Sequence, residues 1–137
     1  MYRPLPDQLT INNSKIEGLG LFSKVKIKKN SFIGVTHIRD EQFEGKYIRT
    51  PLGGFYNHSE NANIMKLVTD VLPKLKFAEY FDPKKKIEKL SDGSNNRENM
   101  YYNLNEKPDA KYMFIISIRD ILADEELVAN YTLYSFK

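Results

Sequence analysis

The chain has 137 residues, of which 41% are hydrophobic and 28% charged, and it contains no cysteine. This length and composition are those of one globular domain that buries its own core, so folding requires neither a disulfide nor a structural metal. The missing cysteines exclude thiolate zinc sites and a cysteine nucleophile, and they point to a reducing compartment or to a protein that requires no disulfide. A formal net charge of +3 is too small to indicate a dedicated nucleic-acid-binding protein.

The N-terminal ten residues carry two prolines and several polar side chains without an apolar run, which is not the pattern of a signal peptide. No segment approaches the roughly 20 apolar residues that span a bilayer. We therefore expect a soluble protein without a membrane partner, located in the cytoplasm or elsewhere inside a cell, which would be the host cell if the source is viral.

The first part of the chain is typical of short strands separated by turns. Residues Leu9 to Asn13 predict one strand. Val25 to Ile27 and Phe32 to Val35 predict two more, on either side of a turn at Lys28 to Asn30. The stretch Gly18-Leu19-Gly20 is typical of a turn between strands, but it also suits a backbone that approaches a ligand closely.

Between His37 and Arg49 charged and aromatic residues alternate without a clear period, which leaves room for a loop and one short helix or strand. His37 fits a surface or strand position. No cluster of histidines and carboxylates at ligand spacing accompanies it, so the sequence predicts no metal site.

The central stretch, from Gly53 to Asn63, combines two glycines, two aromatic residues and a run of small hydrogen-bonding side chains. Such a composition is poor for a helix and poor for a strand, and it predicts a loop that faces a ligand. Ile64 to Thr69 then predicts a return to β-structure.

In the region from Val71 to Met100 prolines interrupt the pattern, although Leu72, Leu75 and Phe77 are spaced to line one side of a short helix. The lysine run Lys84-Lys85-Lys86 is typical of a solvated face. Further on, Met100 to Leu104 and Tyr112 to Ile118 flank a proline-containing turn and predict a β-hairpin. The C-terminal part predicts a turn at Ala123-Asp124 and a short strand from Leu127 to Tyr131.

Three motifs occur in a particular order, namely Gly18-Leu19-Gly20-Leu21-Phe22, Tyr56-Asn57-His58-Ser59 with a trailing Asn63, and Arg119-Asp120-Ile121 followed by Asp124-Glu125-Glu126-Leu127 and Tyr131. In this order they resemble the SET-domain protein lysine methyltransferases. The match extends from Ile16 to Tyr131 and leaves the stretch from Val71 to Met100 unaccounted for. Because it lacks accessory segments, the chain is similar to compact viral or bacterial members of that family.

The resemblance implies a mostly β fold of the β-clip kind, with small twisted sheets, few short helices and a C-terminal segment threaded beneath the Asn-His-Ser loop in a knot-like way. Such threading is rare among folds. It also implies one domain over residues 1–137, with an inserted region at about 71–100.

The implied activity is the transfer of a methyl group from S-adenosylmethionine to a lysine side chain of a protein substrate. By resemblance, Tyr131 is the catalytic residue. The cofactor-binding residues are Gly18, Leu19, Gly20, Tyr56, Asn57, His58 and Tyr134, and Phe55 and Tyr112 line the substrate channel. A tyrosine hydroxyl suits this role because it can orient a neutral amine without serving as a strong base.

The sequence departs from the family pattern at two positions. Ala62 stands where the family has proline, and Asp124 stands where it has a turn glycine. Zinc segments that flank many members cannot form without cysteine, so a lid over the cofactor would come from residues 132–137, from the inserted region or from another chain in a homodimer.

Two alternatives to the enzyme remain from the residues alone. The departures from the motif are compatible with a SET-like protein that no longer catalyses and serves in binding or assembly. A small nucleic-acid accessory protein using Lys84 to Lys86 is the weaker one, and nucleic acid is not the expected partner.

Overall fold

The computed structural model describes residues 5–70, 72–81, 100–101 and 109–130, with only the backbone at residues 100–101. Strands dominate this part of the chain, and one short helix accompanies them. The strands are β1 (Leu9–Asn13), β2 (Leu19–Ser23), β3 (Phe32–Arg39), β4 (Tyr47–Arg49), β5 (Asn57–His58), β6 (Ile64–Thr69), β7 (Met100–Tyr101), β8 (Tyr112–Ser117) and β9 (Val128–Ala129), and the helix α1 is Pro51–Phe55. The predicted mostly β architecture is therefore confirmed.

The larger sheet has the order β4-β3-β8-β6-β9-β5, and β7 pairs with β6 beside this path. Its pairings are antiparallel except around β9, which runs parallel to both β5 and β6. The smaller sheet consists of β1 and β2 in antiparallel register. A bridge between Phe22 and Glu126 joins this smaller sheet to the segment that precedes β9.

Strand β8 lies inside the larger sheet and is covered on both faces, which explains its uninterrupted apolar sequence. On one face Ile115 packs with Ile64, Leu21 and Leu127 in the main core cluster. On the opposite face Phe114 and Ile116 pack in a second cluster with the fully buried Phe81, which the segment at residues 75–81 contributes. The two clusters hold the sheet between layers of apolar side chains.

The strands predicted at Leu9–Asn13 and Ile64–Thr69 are confirmed with the same bounds. The strand predicted around Val25 to Ile27 is wrong, because Val25 is exposed and Ile27 forms only an isolated bridge with Ile121. The predicted helix side of Leu72, Leu75 and Phe77 is also wrong. Residues 72–76 have no helical structure, and Leu75 and Phe77 pack against different clusters.

The prediction of an irregular loop from Gly53 to Asn63 needs a correction, because α1 includes Gly53 and Gly54 and β5 begins at Asn57. The helix forms because Thr50 caps its N-terminus and Pro51, whose fixed φ suits the first helical turn, follows it. Gly53 lies so close to the Thr36 carbonyl that a Cβ atom would come within 3.0 Å of it. The helix therefore packs directly onto β3.

The predicted hairpin between Met100–Leu104 and Tyr112–Ile118 is wrong in its pairing. Met100 and Tyr101 pair with Thr69 and Val68 of β6, and β8 lies on the other side of β6. Both edges of β8 are occupied by β3 and β6, so no edge is left for β7. Residues 102–108 lie outside the described part of the chain.

His37 lies half-buried in β3, in agreement with a strand position. Its Nδ1 atom is 2.8 Å from the Thr36 hydroxyl, and its ring meets the Tyr47 ring edge-on. Burial lowers the pKa of His37 to about 4, and the positive charges of Lys66 and Arg49 add to the effect. The imidazole is therefore neutral at physiological pH.

In the part of the chain that the structure describes, no helix is both long and apolar enough to cross a membrane.

Candidate cofactor site

The central loop and the C-terminal segment are bound to each other along their backbones. Asn57 and His58 pair in parallel with Val128 and Ala129. Beyond the strand, the Ser59 N–H donates to the Ala129 carbonyl at 3.0 Å and the Asn63 N–H donates to the Val128 carbonyl at 2.9 Å. Residues 57–63 and residues 128–129, which the sequence separates by about 70 positions, thus lie side by side, and these two paired segments are called the ledge below.

The side chain of Asn63 fastens this ledge from beneath. It is fully buried, and its amide spans the backbone of the C-terminal segment. Nδ2 donates to the Glu126 carbonyl at 2.7 Å, and Oδ1 accepts from the Val128 N–H at 2.8 Å. An asparagine amide presents a donor and an acceptor side by side, which is what an extended backbone requires from a single side chain.

Glu125 and Arg119 close the network on its outer side. The Arg119 guanidinium donates to the Glu125 carboxylate at 2.8 Å, and the Asn63 Nδ2 approaches the same oxygen at 3.1 Å. Burial acts to raise the pKa of Glu125, but hydrogen bonds from the Leu122 N–H, Asn63 and Arg119 outweigh it and lower the pKa below its ordinary value. The carboxylate is therefore ionised and anchored at neutral pH.

On the opposite side of the ledge Asn57 reaches the Gly-Leu-Gly stretch. Its Nδ2 lies 2.8 Å from Glu126 Oε2, 3.2 Å from the Glu17 carbonyl oxygen and 3.3 Å from the Leu19 carbonyl oxygen. The Ser14 hydroxyl donates to the same Glu126 carboxylate, with both oxygens at 2.8 Å. One amide nitrogen thus gathers three separate parts of the chain.

The two positions of this stretch require glycine for different structural reasons. Gly18 has a φ of 49°, in the left-handed region that favours glycine, and no described atom lies within 4 Å of the position of an added Cβ. Gly20 faces the Glu126 carboxylate so closely that a Cβ would lie less than 3.0 Å from it. The first glycine shapes an open turn, and the second makes room for a charged group.

The geometry brings together five of the predicted cofactor residues, namely Gly18, Leu19, Gly20, Asn57 and His58. Comparison with known proteins identifies the family to which this arrangement belongs. The profile of the SET domain matches residues 18–132, which is most of the chain. The chain belongs to the SET domain family.

Solved structures agree with the fold of a SET domain, and 16 of their chains match significantly. One of them is the crystal structure of a Plasmodium falciparum protein described as a candidate histone methyltransferase, with a TM-score of 0.51 and 21% identity. The superposition covers 93% of this chain and 95% of that one. At this identity the likeness concerns the fold. A search among curated proteins gave no significant match.

The aromatic residues predicted around the SET site have different positions. Tyr56 is buried in the main core cluster, and Phe55 packs half-buried against the same cluster. Tyr112 begins β8 and pairs with Thr69, whereas Ala129 pairs with Ile64 at the other end of β6. Five residues of strand separate the two ends, or roughly 16 Å, so the structure does not bring Tyr112 beside Asn57.

Tyr131 and Tyr134, predicted as the catalytic residue and a cofactor contact, lie outside the described residues. Strand β9 ends at Ala129, which is fully buried and pairs with His58. The knot-like threading of the C-terminal segment involves the same residues and stays a prediction.

At both departures from the family pattern the structure shows well-defined local contacts. Asp124 has a φ of 69°, so it takes the left-handed conformation for which glycine is the usual choice, and its N–H donates to the Ser23 carbonyl at 2.6 Å. Aspartate is among the residues that tolerate this conformation. Although Ala62 replaces proline, Asn63 retains its contacts with Glu126 and Val128.

The sequence prediction missed Glu126 and Ser14 as members of the site. Glu126 belongs to the quoted Asp-Glu-Glu-Leu motif, but its sequence position does not indicate a partner 69 residues away. Ser14 carries no motif signal. Among the described residues no group of three histidine, cysteine, aspartate or glutamate side chains is arranged to hold a metal ion.

Proposed function

We propose that the protein is an S-adenosylmethionine-dependent methyltransferase that acts on a lysine side chain of a protein substrate. Membership in the SET domain family supports the reaction class. The observation that carries the proposal is the convergence at Asn57, whose amide joins the Gly-Leu-Gly stretch to Glu126 while its backbone pairs with Val128.

The residues around Asn57 fit the polar end of the proposed cofactor. When bound, S-adenosylmethionine supplies a methyl group carried on a sulfonium, and its amino-acid end carries an ammonium. An ammonium requires hydrogen-bond acceptors and is attracted by negative charge. Two backbone carbonyls and the Glu126 carboxylate lie within 3.3 Å of the Asn57 amide nitrogen, so this end of the site is rich in acceptors and carries a negative charge. No described side chain covers Gly18, so a ligand can approach its backbone directly.

Asn57 and His58 are proposed to hold the cofactor from the β5 side, and the backbone of Gly18 to Gly20 from the opposite side. The pairing of β5 with β9 limits the movement of this ledge, because each strand is fixed by the hydrogen bonds of the other. A rigid binding ledge favours transfer, since the methyl carbon and the acceptor nitrogen must be held in line at about 3 Å.

The lysine acceptor must be neutral to act as a nucleophile, although its ordinary pKa is about 10.4. Desolvation in a narrow apolar channel favours the neutral amine. The role proposed for Tyr131 is to orient this amine through its hydroxyl group. The strand that leads to Tyr131 is buried at Val128 and Ala129, which gives the residue a firm attachment on its N-terminal side.

A non-catalytic SET-like binding protein was the main alternative from the sequence, on account of Ala62 and Asp124. The backbone hydrogen bond from Asp124 to Ser23 is formed, and Asn63, the neighbour of Ala62, makes its contact with Glu126. We therefore favour the enzyme.

The proposal is tested in two steps with the purified chain of 137 residues. Calorimetry measures the binding of S-adenosylhomocysteine, and a radiolabelled methyl donor then follows transfer to proteins of a cell extract. We expect binding, and transfer that falls at least 100-fold in Tyr131→Phe. The control is Tyr80→Phe, an exposed tyrosine in an isolated bridge with Ser31, which should transfer at the wild-type rate.

If the wild type does not bind the ligand, the proposed enzyme activity is refuted. Binding without transfer to any protein would favour the non-catalytic alternative. Equal transfer by wild type and Tyr131→Phe would remove Tyr131 from the mechanism.

A further inference from the structure

The Asn57 amide nitrogen lies within 3.3 Å of three hydrogen-bond acceptors, which two distant parts of the chain contribute. They are the carbonyl oxygens of Glu17 and Leu19 and the Oε2 atom of Glu126. None of these three atoms can donate while Glu126 is ionised. An asparagine amide has a donating end and an accepting end, so its orientation is decided by such neighbours. Here the donating end must face them.

The opposite orientation would place the Asn57 Oδ1 against a carboxylate and two carbonyl oxygens. Repulsion from the carboxylate makes that arrangement strongly unfavourable, whereas the bond from Nδ2 to the carboxylate is charge-assisted and stronger than one between neutral groups. As a result Oδ1 is turned away from the Gly-Leu-Gly stretch. Among the described residues, none donates a hydrogen bond to it.

The carboxylate of Glu126 is itself held in place. Ser14 donates to it at 2.8 Å, and Gly20 lacks the Cβ atom that would occupy its position. A negative charge that is fixed between Ser14 and Asn57 discriminates between the two amide orientations more sharply than a mobile surface charge, because it cannot turn away from Oδ1. The second glycine of the motif thus serves Glu126.

We propose that Glu126 is a positioning residue that orients the Asn57 amide so that Oδ1 accepts a hydrogen bond from the ammonium group of the cofactor. The inference rests on the proposed function, because it concerns the amino-acid end of S-adenosylmethionine. Glu126 acts through Asn57 and through the fixed negative charge close to the ammonium. Both effects concern only ligands that carry the amino group.

The test compares two ligands by calorimetry, namely S-adenosylhomocysteine, which has the ammonium, and methylthioadenosine, which lacks the whole amino-acid end. In Glu126→Gln the side chain keeps its size but loses its charge, and its own amide can face Asn57 with either end. We expect S-adenosylhomocysteine to bind about 10- to 100-fold more weakly, as for the loss of a hydrogen bond to a charged group. Binding of methylthioadenosine should change less than twofold.

Two further variants separate positioning from general damage to the fold. Glu126→Asp retains the charge and should recover part of the affinity for S-adenosylhomocysteine. Ser14→Ala removes a support of the carboxylate but leaves the charge, and it should weaken binding less than Glu126→Gln. In addition, the Asn57 side-chain amide protons, observed by NMR without ligand, should exchange faster with water in Glu126→Gln than in the wild type.

Unchanged affinity of Glu126→Gln for S-adenosylhomocysteine would overturn the role of Glu126 and leave the proposed function intact. Equal weakening of both ligands would also overturn it, because a purely structural defect affects the whole site. Failure of the wild type to bind either ligand would refute the proposed function and the role of Glu126 together.

Discussion

Replacing Asn63 with alanine removes the side chain that fastens the C-terminal segment to the central loop. The amide loses its bonds to the Glu126 carbonyl at 2.7 Å and to the Val128 N–H at 2.8 Å, and it no longer reaches Glu125. Asn63, Val128 and Ala129 are buried, so water cannot easily replace the lost partners. The variant therefore leaves a backbone donor and a backbone acceptor unsatisfied within the structure.

The expected loss of stability follows from the number of backbone groups that are left without a hydrogen-bond partner. A buried polar group without a partner costs about 1–3 kcal/mol, and two backbone groups are affected here. With the space left by the truncated side chain, we expect the free energy of unfolding of Asn63→Ala to fall by about 3–5 kcal/mol. For a chain of this length that corresponds to a decrease in Tm of about 10–17 °C.

The assay is urea or thermal denaturation, followed by circular dichroism, with hydrogen exchange as a local readout. In the variant the Val128 amide proton should exchange much faster, because its acceptor is missing. Asn61→Ala is the matched control. Asn61 is exposed and takes part through its backbone, in bonds with Ser59 and Arg119, so its replacement should change stability by less than about 0.5 kcal/mol.

A loss of less than about 1 kcal/mol in Asn63→Ala, or a Val128 amide that kept its protection from exchange, would contradict this expectation. Either result would mean that the C-terminal segment is held by the backbone pairing of β9 alone. A further variant, Asn63→Asp, retains an acceptor for Val128 but places a second carboxylate beside Glu125. We expect it to be destabilised at neutral pH and to recover partly on acidification, as protonation restores a donor.

Three other predictions concern stability. The depressed pKa of His37 favours the neutral imidazole in the folded state, so protonation at acidic pH destabilises the fold. As the pH falls from 6.5 to about 4, the free energy of unfolding of the wild type should decrease by about 2 kcal/mol relative to that of His37→Gln, a value reduced from the full shift because the side chain is partly exposed. Parallel pH profiles of the two proteins in denaturation experiments would contradict this. Glu125 has a lowered pKa in the folded state, so its stabilising contribution is present above its ordinary pKa and is lost as the pH falls through the pKa of the folded state. In Glu125→Gln the stability should therefore fall less steeply at acidic pH than in the wild type. An unchanged acid part of the pH–stability profile would argue against this contribution of Glu125. Gly53→Ala should destabilise by about 2–3 kcal/mol, because the added Cβ atom would collide with the Thr36 carbonyl. Gly54 is the control, since no described atom lies within 4 Å of an added Cβ atom there, and Gly54→Ala should be neutral or stabilising by up to about 1 kcal/mol. Equal melting temperatures of the two variants would disprove the collision.

Local sequence patterns were sufficient to predict the positions of the strands that have a periodic or continuous apolar pattern. Strands β1 and β6 begin and end where the sequence predicts, and the predicted stretch around β8 needs a change of one residue at its end. The helix α1 also had a local signal in Thr50-Pro51, a cap followed by a proline, but the two glycines concealed it. The two glycines outweighed the capping signal in the prediction, because glycine disfavours a helix unless packing requires it.

Pairing between distant strands could not be predicted in this way. The hairpin signal at Met100 to Ile118 describes two segments of β character, and it says nothing about which edge each one meets. The occupied edges of β8 decided that β7 pairs with β6. Side-chain periodicity reports on neighbours within a few residues, whereas strand order depends on how the faces pack in three dimensions.

By itself the sequence determined the mostly β class, the resemblance to SET domains and the order of the three motifs, because these depend on residue types and local spacing. Only the tertiary structure decided what the motif residues contact. It placed Glu126 against Asn57 and Gly20, and Asn63 beneath the backbone of Val128. These contacts join residues more than 60 positions apart. They form because the buried polar groups of the β9 segment must be paired, and the central loop supplies partners from both its backbone and its side chains.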